Sequence, residues 1–261
     1  MNHTIAVVSL TRLRAMWRSV EYLARGGHPA PLGIDLVHVS VAAQALTLLT
    51  TDGVAAAWAI ELVEAGDCES FSVNAKALGD ELDAMHQAGA GGSVTLSRVD
   101  KWLVLELEGG VRADGGVTHA TTWRVPVTPN VVKAWGWLTH LRPDTASMDV
   151  RPPRTAIPLC DWLALCYCAD ESPEPTIAIE RVVDGASLMV MSRPAAPGHG
   201  NGKTLRIGVQ TSMLRAALKR SGAHAVLRMY DQWPTRQGGI RIDADNGSTH
   251  VICPYTPKEL K

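Results

Sequence analysis

The chain has 261 residues and a mass of 28.0 kDa, enough for one large domain or two of ordinary size, with a substantial core in either case. Apolar residues make up 46% and charged residues 20%, which excludes a disordered chain and a coiled coil. The 25 basic and 26 acidic residues leave a net charge of −1, so a uniformly basic nucleic-acid coat is excluded but a local basic stripe is not.

From the N-terminus, Thr4–Val8 alternates as a strand and Ser9–Ala24 has helical periodicity, with Ser9 or Thr11 placed to cap it and Gly26-Gly27 to end it. Strands are predicted at Ile34–Val41, Ala45–Thr50, Val54–Val63 and Ser70–Val73, and a second helix at Asn74–Ala88 before the glycine cluster Gly89–Gly92. Three more strands follow at Val94–Arg98, Trp102–Leu107 and Thr118–Val127.

A proline-rich stretch, Pro126–Pro158, holds six prolines with Trp135, Trp137 and Leu138 in a short amphipathic turn. A purely flexible linker would not carry two tryptophans, so this connector is expected to pack on the surface. Beyond it a strand is predicted at Thr155–Leu159, a short helix at Cys160–Ala169, and strands at Thr176–Val183 and Ala186–Ser192. The Pro- and Gly-rich Pro194–Gly202 reads as a loop. A strand at Leu205–Val209 feeds a helix at Thr211–Ser221, and strands at Ala223–Met229, Gly239–Asp243 and Thr249–Cys253 close the sheet. Both halves end in a strand feeding a helix, then three strands. This order predicts an α+β chain built as two tandem repeats of about 110 residues: a domain at 1–127, a connector at 128–154 and a domain at 155–261.

The longest apolar stretches, such as Val54–Ile60 and Trp162–Ala169, fall far short of the roughly 18 residues of a membrane span. The N-terminus lacks the pattern of a signal peptide, so a soluble, cytoplasmic protein without membrane partners is expected. Five cysteines, three of them (Cys160, Cys166, Cys168) in one apolar run, read as buried free thiols and not as a disulfide framework or zinc site. Eight tryptophans beside the single Phe71 imply a core filled by tryptophan and aliphatic side chains.

On a helix, Leu13, Met16, Trp17, Val20 and Leu23 share one face, leaving Arg14, Arg18 and Arg25 on the other with Glu21 near them. The Thr211–Ser221 helix repeats the layout, with Leu214, Ala217 and Leu218 inward and Arg215 and Lys219 outward. Between Lys203 and Arg228 there are six basic residues and no acidic one. Matching i,i+4 basic pairs suit sequence-blind phosphate contact; a merely solvated helix face is the alternative. The Asn74–Ala88 helix instead exposes Lys76, Asp80 and Asp83, a net acidic face, and Cys160–Ala169 carries no basic residue.

Motifs for nucleotide hydrolysis, zinc proteolysis, serine hydrolysis and dinucleotide binding are absent from the sequence. Gly198–Lys203 lacks the Ser/Thr-bearing helix start of a phosphate loop, Asp52-Gly53 fits a turn between strands, and the histidines are not at metal spacing. No catalytic residue, cofactor or metal is therefore assigned.

The chain resembles the DNA sliding clamps, the processivity rings of replicative polymerases. The resemblance lies in the helix Leu10–Leu23, the strand entry Pro31–Val39, the run Leu46–Gly53, the strand-to-helix step Phe71–Leu78, and the ending Val251-Ile252-Cys253-Pro254-Tyr255. It implies two clamp domains, each with two helices packed on a curved antiparallel sheet. Clamps with two domains per chain, including several from phages, close as trimers; bacterial clamps have three domains and close as dimers. The resemblance thus implies a homotrimeric ring around double-stranded DNA that tethers a polymerase and is served by a clamp loader. It assigns Arg14, Arg18, Arg215 and Lys219 to the pore, with Arg12, Arg25 and Arg220 reinforcing them and Lys76 alone on the second helix. It also implies a groove for partner peptides near Val131, Trp135, Trp137, Leu138, Pro254 and Tyr255. Two other functions stay open: a clamp-fold module that binds partner peptides without encircling DNA, and a small-molecule enzyme on the duplicated scaffold.

Overall fold

The computed structural model describes residues 3–24, 35–42, 44–53, 55–65, 69–88, 92–107, 121–128, 155–158, 176–183, 187–193, 206–221, 224–235, 238–244 and 246–254. The chain divides into two compact units, one of Met1–Gly53 with Ala57–Trp135 and one of Val54–Ala56 with Gly136–Lys261.

The first unit contains β1 (His3–Ser9), α1 (Leu10–Ala24), β2 (Leu36–Ala42), β3 (Ala45–Thr51), all of β4 (Ala55–Leu62) but its first two residues, β5 (Glu64–Ala65), β6 (Glu69–Asn74), α2 (Ala75–Gln87), β7 (Ser93–Val99), β8 (Trp102–Leu107) and β9 (Thr121–Thr128). Its strands lie side by side in the order β4-β3-β2-β6-β9-β8-β7-β1-β5. Antiparallel registers run through this sheet, for example His38 opposite Leu49, Val73 opposite Val127 and Leu96 opposite Leu105. Period-two alternation decides which face is buried: Val94 and Leu96 on β7, and Leu103, Leu105 and Leu107 on β8, all point inward. On α1 the residues spaced three and four apart, Leu13, Met16, Trp17, Val20 and Leu23, are buried as the pattern predicts.

Polar contacts fix the ends and seat of the helices. The Ser9 Oγ accepts from the Arg12 N–H at 3.2 Å, so Ser9 is the cap of α1. The fully buried Thr50 hydroxyl on β3 donates to the Val20 carbonyl at 2.7 Å and ties α1 to the sheet. Asn74 caps α2, its Oδ1 accepting from the Ala77 N–H at 2.9 Å. In the Asp52-Gly53 turn, Gly53 sits at φ +86° with its N–H donating to Thr51 Oγ1 at 3.1 Å. A Cβ there would meet no atom within 4 Å, so the need for glycine is conformational and not spatial.

The second unit contains β10 (Thr155–Pro158), β11 (Thr176–Val183), β12 (Ser187–Arg193), β13 (Arg206–Gln210), α3 (Thr211–Arg220), β14 (His224–Thr235), β15 (Gly238–Ala244) and β16 (Ser248–Ile252). β11, β12 and β13 form one antiparallel sheet, and β10, β14, β15 and β16 pair antiparallel in that order. Leu214, Ala217 and Leu218 of α3 are buried in a core that also contains Ile207, Val209, Ile240, Ile242, Val251 and Ile252.

The strand–helix–three-strand order is present in both units, as β6-α2-β7-β8-β9 and β13-α3-β14-β15-β16. The backbone turns into the two helices in the same way: Asn74 lies at φ −66°, ψ 128° and Gln210 at φ −69°, ψ 126°. Only Asn74 has a short side chain that closes a cap bond there. Two elements differ from expectation. β14 continues past Met229 to Thr235, because an irregularity between Tyr230 and Thr235 lets the strand resume pairing at Gly238. β5 is a two-residue strand pairing Ala65 with Ala6, too short to leave a periodic signal.

The predicted helix Cys160–Ala169 and the loop Pro194–Gly202 lie outside the described residues, as does the predicted connector 128–154 except for Thr128, which ends β9. Four of the five cysteines lie outside them too; the fifth, Cys253, is half-buried. No helix among the described residues is long and apolar enough to cross a membrane, and no metal-binding cluster of His, Cys, Asp or Glu occurs among them.

Candidate nucleic-acid interface

The helices place the predicted cations on their outward faces, but with very different company. On α1, Arg14 and Arg18 lie one turn apart, and both reach Oδ1 of Asp83 on α2. Arg14 Nη2 donates at 3.1 Å and Arg18 Nη2 at 2.9 Å. Arg18 also approaches Glu21 Oε1 at 3.8 Å. The Arg14 hydrogen bond, aided by the charge and hydrogen bond of Arg18, holds the Asp83 carboxyl below the usual carboxylate range against the opposing effect of desolvation. Arg14 is the more enclosed of the two, its side chain 21% exposed against 51% for Arg18, and its buried Nε has no hydrogen-bond partner among the described residues.

The remaining cations of α1 and α2, Arg12 and Lys76, are also paired. Arg12 donates to Glu61 on β4, and Lys76 pairs with Asp80 one turn along α2. Taken together, α1 and α2 carry Arg12, Arg14, Arg18 and Lys76 against Glu21, Asp80, Glu81 and Asp83. Their net charge is zero.

α3 is different. It carries Arg215, Lys219 and Arg220 and no acidic residue. Arg215 and Lys219 are exposed one turn apart, and among the described residues neither has an ion-pair or hydrogen-bond partner. Arg220 is half-buried and donates to the Ala216 carbonyl at 3.3 Å. Its backbone carbonyl accepts from Asn246 Nδ2 at 2.8 Å, so Arg220 is bound into the end of the helix.

Below this helix end lies a buried polar group on β16. Ser248 Oγ donates to Asn246 Oδ1 at 2.7 Å and stands 3.1 Å from His250 Nε2. With the hydroxyl proton committed to Asn246, the imidazole Nε2 is the donor of that second contact. His250 is fully buried, and burial, with the positive charge of Arg220 as the lesser cause, pushes its pKa down to about 3. Both side chains are enclosed, so this serine–histidine contact holds the strand and offers no nucleophile to a substrate.

Among the other residues singled out from the sequence, Pro254 is half-buried just after β16. Arg25, Val131, Trp135, Trp137, Leu138 and Tyr255 lie outside the described residues. Sequence reasoning missed the role of Asp83. It stood out only as part of an acidic face on α2, and nothing in the sequence of α2 signals that Arg14 and Arg18 of α1 converge on it.

No protein-family model matches the chain, and no curated protein matches it in sequence. Solved structures do match. A DNA polymerase III beta subunit from Eubacterium rectale superposes with a TM-score of 0.61 at 15% identity, covering 96% of this chain and 65% of that one. The Helicobacter pylori beta clamp in complex with 5-chloroisatin gives 0.58 at 11% identity, covering 99% and 64%. The polymerase sliding clamp of Bacillus subtilis gives 0.61 at 13% identity, covering 98% and 64%. The chain therefore has the sliding-clamp fold, over a span just under two thirds of the length of these three clamps.

Proposed function

We propose that the chain is a DNA sliding clamp: a subunit of a ring that encircles duplex DNA and tethers a replicative polymerase. The observation that carries this reading is the exposed Arg215–Lys219 pair, without an ion-pair partner among the described residues, on an outward helix face of a clamp fold. A ring held by topology needs contacts that attract phosphate without reading bases, and two long cations one turn apart supply that. The reading is non-enzymatic and gives the chain no cofactor. Its partners are double-stranded DNA, a polymerase and a clamp loader, and its setting is the cytoplasm of a bacterium or phage-infected cell.

Two clamp units per chain, divided as 1–127 and 155–261 around a connector, favour closure as a homotrimer with six units in the ring. The partner-peptide groove falls to Val131, Trp135, Trp137 and Leu138 with Pro254 and Tyr255. Light scattering across a concentration series tests the assembly: three times 28.0 kDa is expected, and a single-chain mass at every concentration contradicts it. The zero net charge of α1 and α2 favours a second reading, a clamp-fold module that binds partner peptides without encircling DNA.

A further inference from the structure

The two units offer DNA unequal surfaces, although their sequences carry matching basic pairs. In the second unit Arg215 and Lys219 are exposed and have no ion-pair or hydrogen-bond partner among the described residues, and α3 has no acidic residue. In the first, Arg14 and Arg18 converge on a single oxygen of Asp83. A carboxylate oxygen accepting two guanidinium groups occupies the place that a phosphate oxygen would take.

We propose that Asp83 is an intramolecular competitor for DNA phosphate at Arg14 and Arg18, so that the resting contact with duplex DNA comes from α3 and the α1 pair is held in reserve. This inference rests on the duplex-binding reading above. The geometry makes the competition specific. The arginines come from α1 and the carboxylate from α2, so the contact depends on the packing of the two helices and not on a flexible side-chain neighbour. The Asp83 side chain is 38% exposed and that of Arg18 51% exposed, so an incoming phosphate can reach Arg18 without unfolding either helix. Arg14, the more enclosed, would follow only once Asp83 lets go. Counterion release occurs only for cations that newly engage phosphate, so cations already paired with Asp83 contribute little to the salt dependence of binding.

The test uses the full-length protein and a short, sequence-neutral duplex, with affinity measured by fluorescence anisotropy over a range of salt. The variant D83N is expected to bind more tightly at low salt. Its plot of log affinity against log salt should steepen by up to about 1.8 per chain, because each released cation adds roughly 0.9. Adding R14A and R18A to D83N should return the slope to the parental value. A folded D83N with the parental slope overturns the inference. R215A/K219A separates duplex binding from competition by Asp83: it should flatten the parental slope, and if it leaves the slope unchanged the duplex-binding reading itself fails, whatever D83N does. Should D83N not fold, arginine modification by phenylglyoxal on the parent protein still decides. Duplex DNA is expected to protect Arg215 and to leave Arg14 and Arg18 unchanged, and equal protection of all three overturns the proposal.

Discussion

Acidification should weaken the second unit through His250, by an amount set by its burial. The imidazole is fully enclosed on β16, donates to Ser248 Oγ, and stands near the positive charge of Arg220. Its pKa falls from 6.5 to about 3, so the unfolded chain binds a proton below pH 6.5 that the folded chain refuses. The folded state thus keeps its full stability above the unfolded-state pKa and loses it as pH falls from there towards the folded-state value. Between pH 7 and pH 5 the loss from this one group is about 2 kcal/mol, and it grows by about 1.4 kcal/mol for each further pH unit until the folded-state pKa is reached. Urea unfolding at pH 7 and pH 5 measures it, with H250Q as the comparison because glutamine keeps a donor for Ser248 and does not titrate. His38, whose pKa burial also lowers, adds a loss of the same sign to both proteins and cancels in the difference. The parent should lose about 2 kcal/mol more than H250Q over this interval. An equal loss in the two would refute the assignment of the buried, neutral imidazole.

Two further outcomes test how the helices are held. N74A should destabilise the protein by about 1 kcal/mol, the usual worth of an N-cap, since Asn74 closes a bond to Ala77; Q210A, at the matching entry to α3 but without a side-chain cap, should change stability by less than about 0.5 kcal/mol. L82A, which empties a fully buried position on α2, should cost about 2–5 kcal/mol in thermal or urea unfolding, and a smaller loss would mean that α1 and α2 close over the gap.

Much of this architecture is legible in the sequence because it rests on local periodicity. Trp102–Leu107 and Thr176–Val183 carry clean strand patterns between turn residues, and the observed strands have those bounds. The apolar stripe of α1 is equally plain, since burial selects residues three and four apart. Where pairing departs from period, the signal fades. The irregularity in β14 after Tyr230 hides its continuation to Thr235, and the two residues of β5 have no period at all.

The candidate interface is legible only in part, and for a related reason. Basic pairs one turn apart are visible on any helix, so Arg14–Arg18 and Arg215–Lys219 look equivalent in sequence. What distinguishes them is a partner 65 and 69 residues away, Asp83, brought to the first pair by the packing of α2 against α1. Arg12 likewise meets Glu61 from a distance of 49 residues. Periodicity places a side chain on a face, but the charge opposite that face comes from another element. Two helices with the same basic pattern therefore present, after folding, one neutral surface and one positive one.

Under the proposed function the protein holds DNA by encirclement, and topology can be separated from charge. The protein is threaded onto linear duplex DNA, both ends are blocked with bulky proteins, and the salt is raised to about 1 M, where the Debye length is only about 3 Å and phosphate contacts are screened. Encirclement predicts that the protein stays on the doubly blocked DNA and leaves when one block is removed. Release at high salt with both ends still blocked would contradict it.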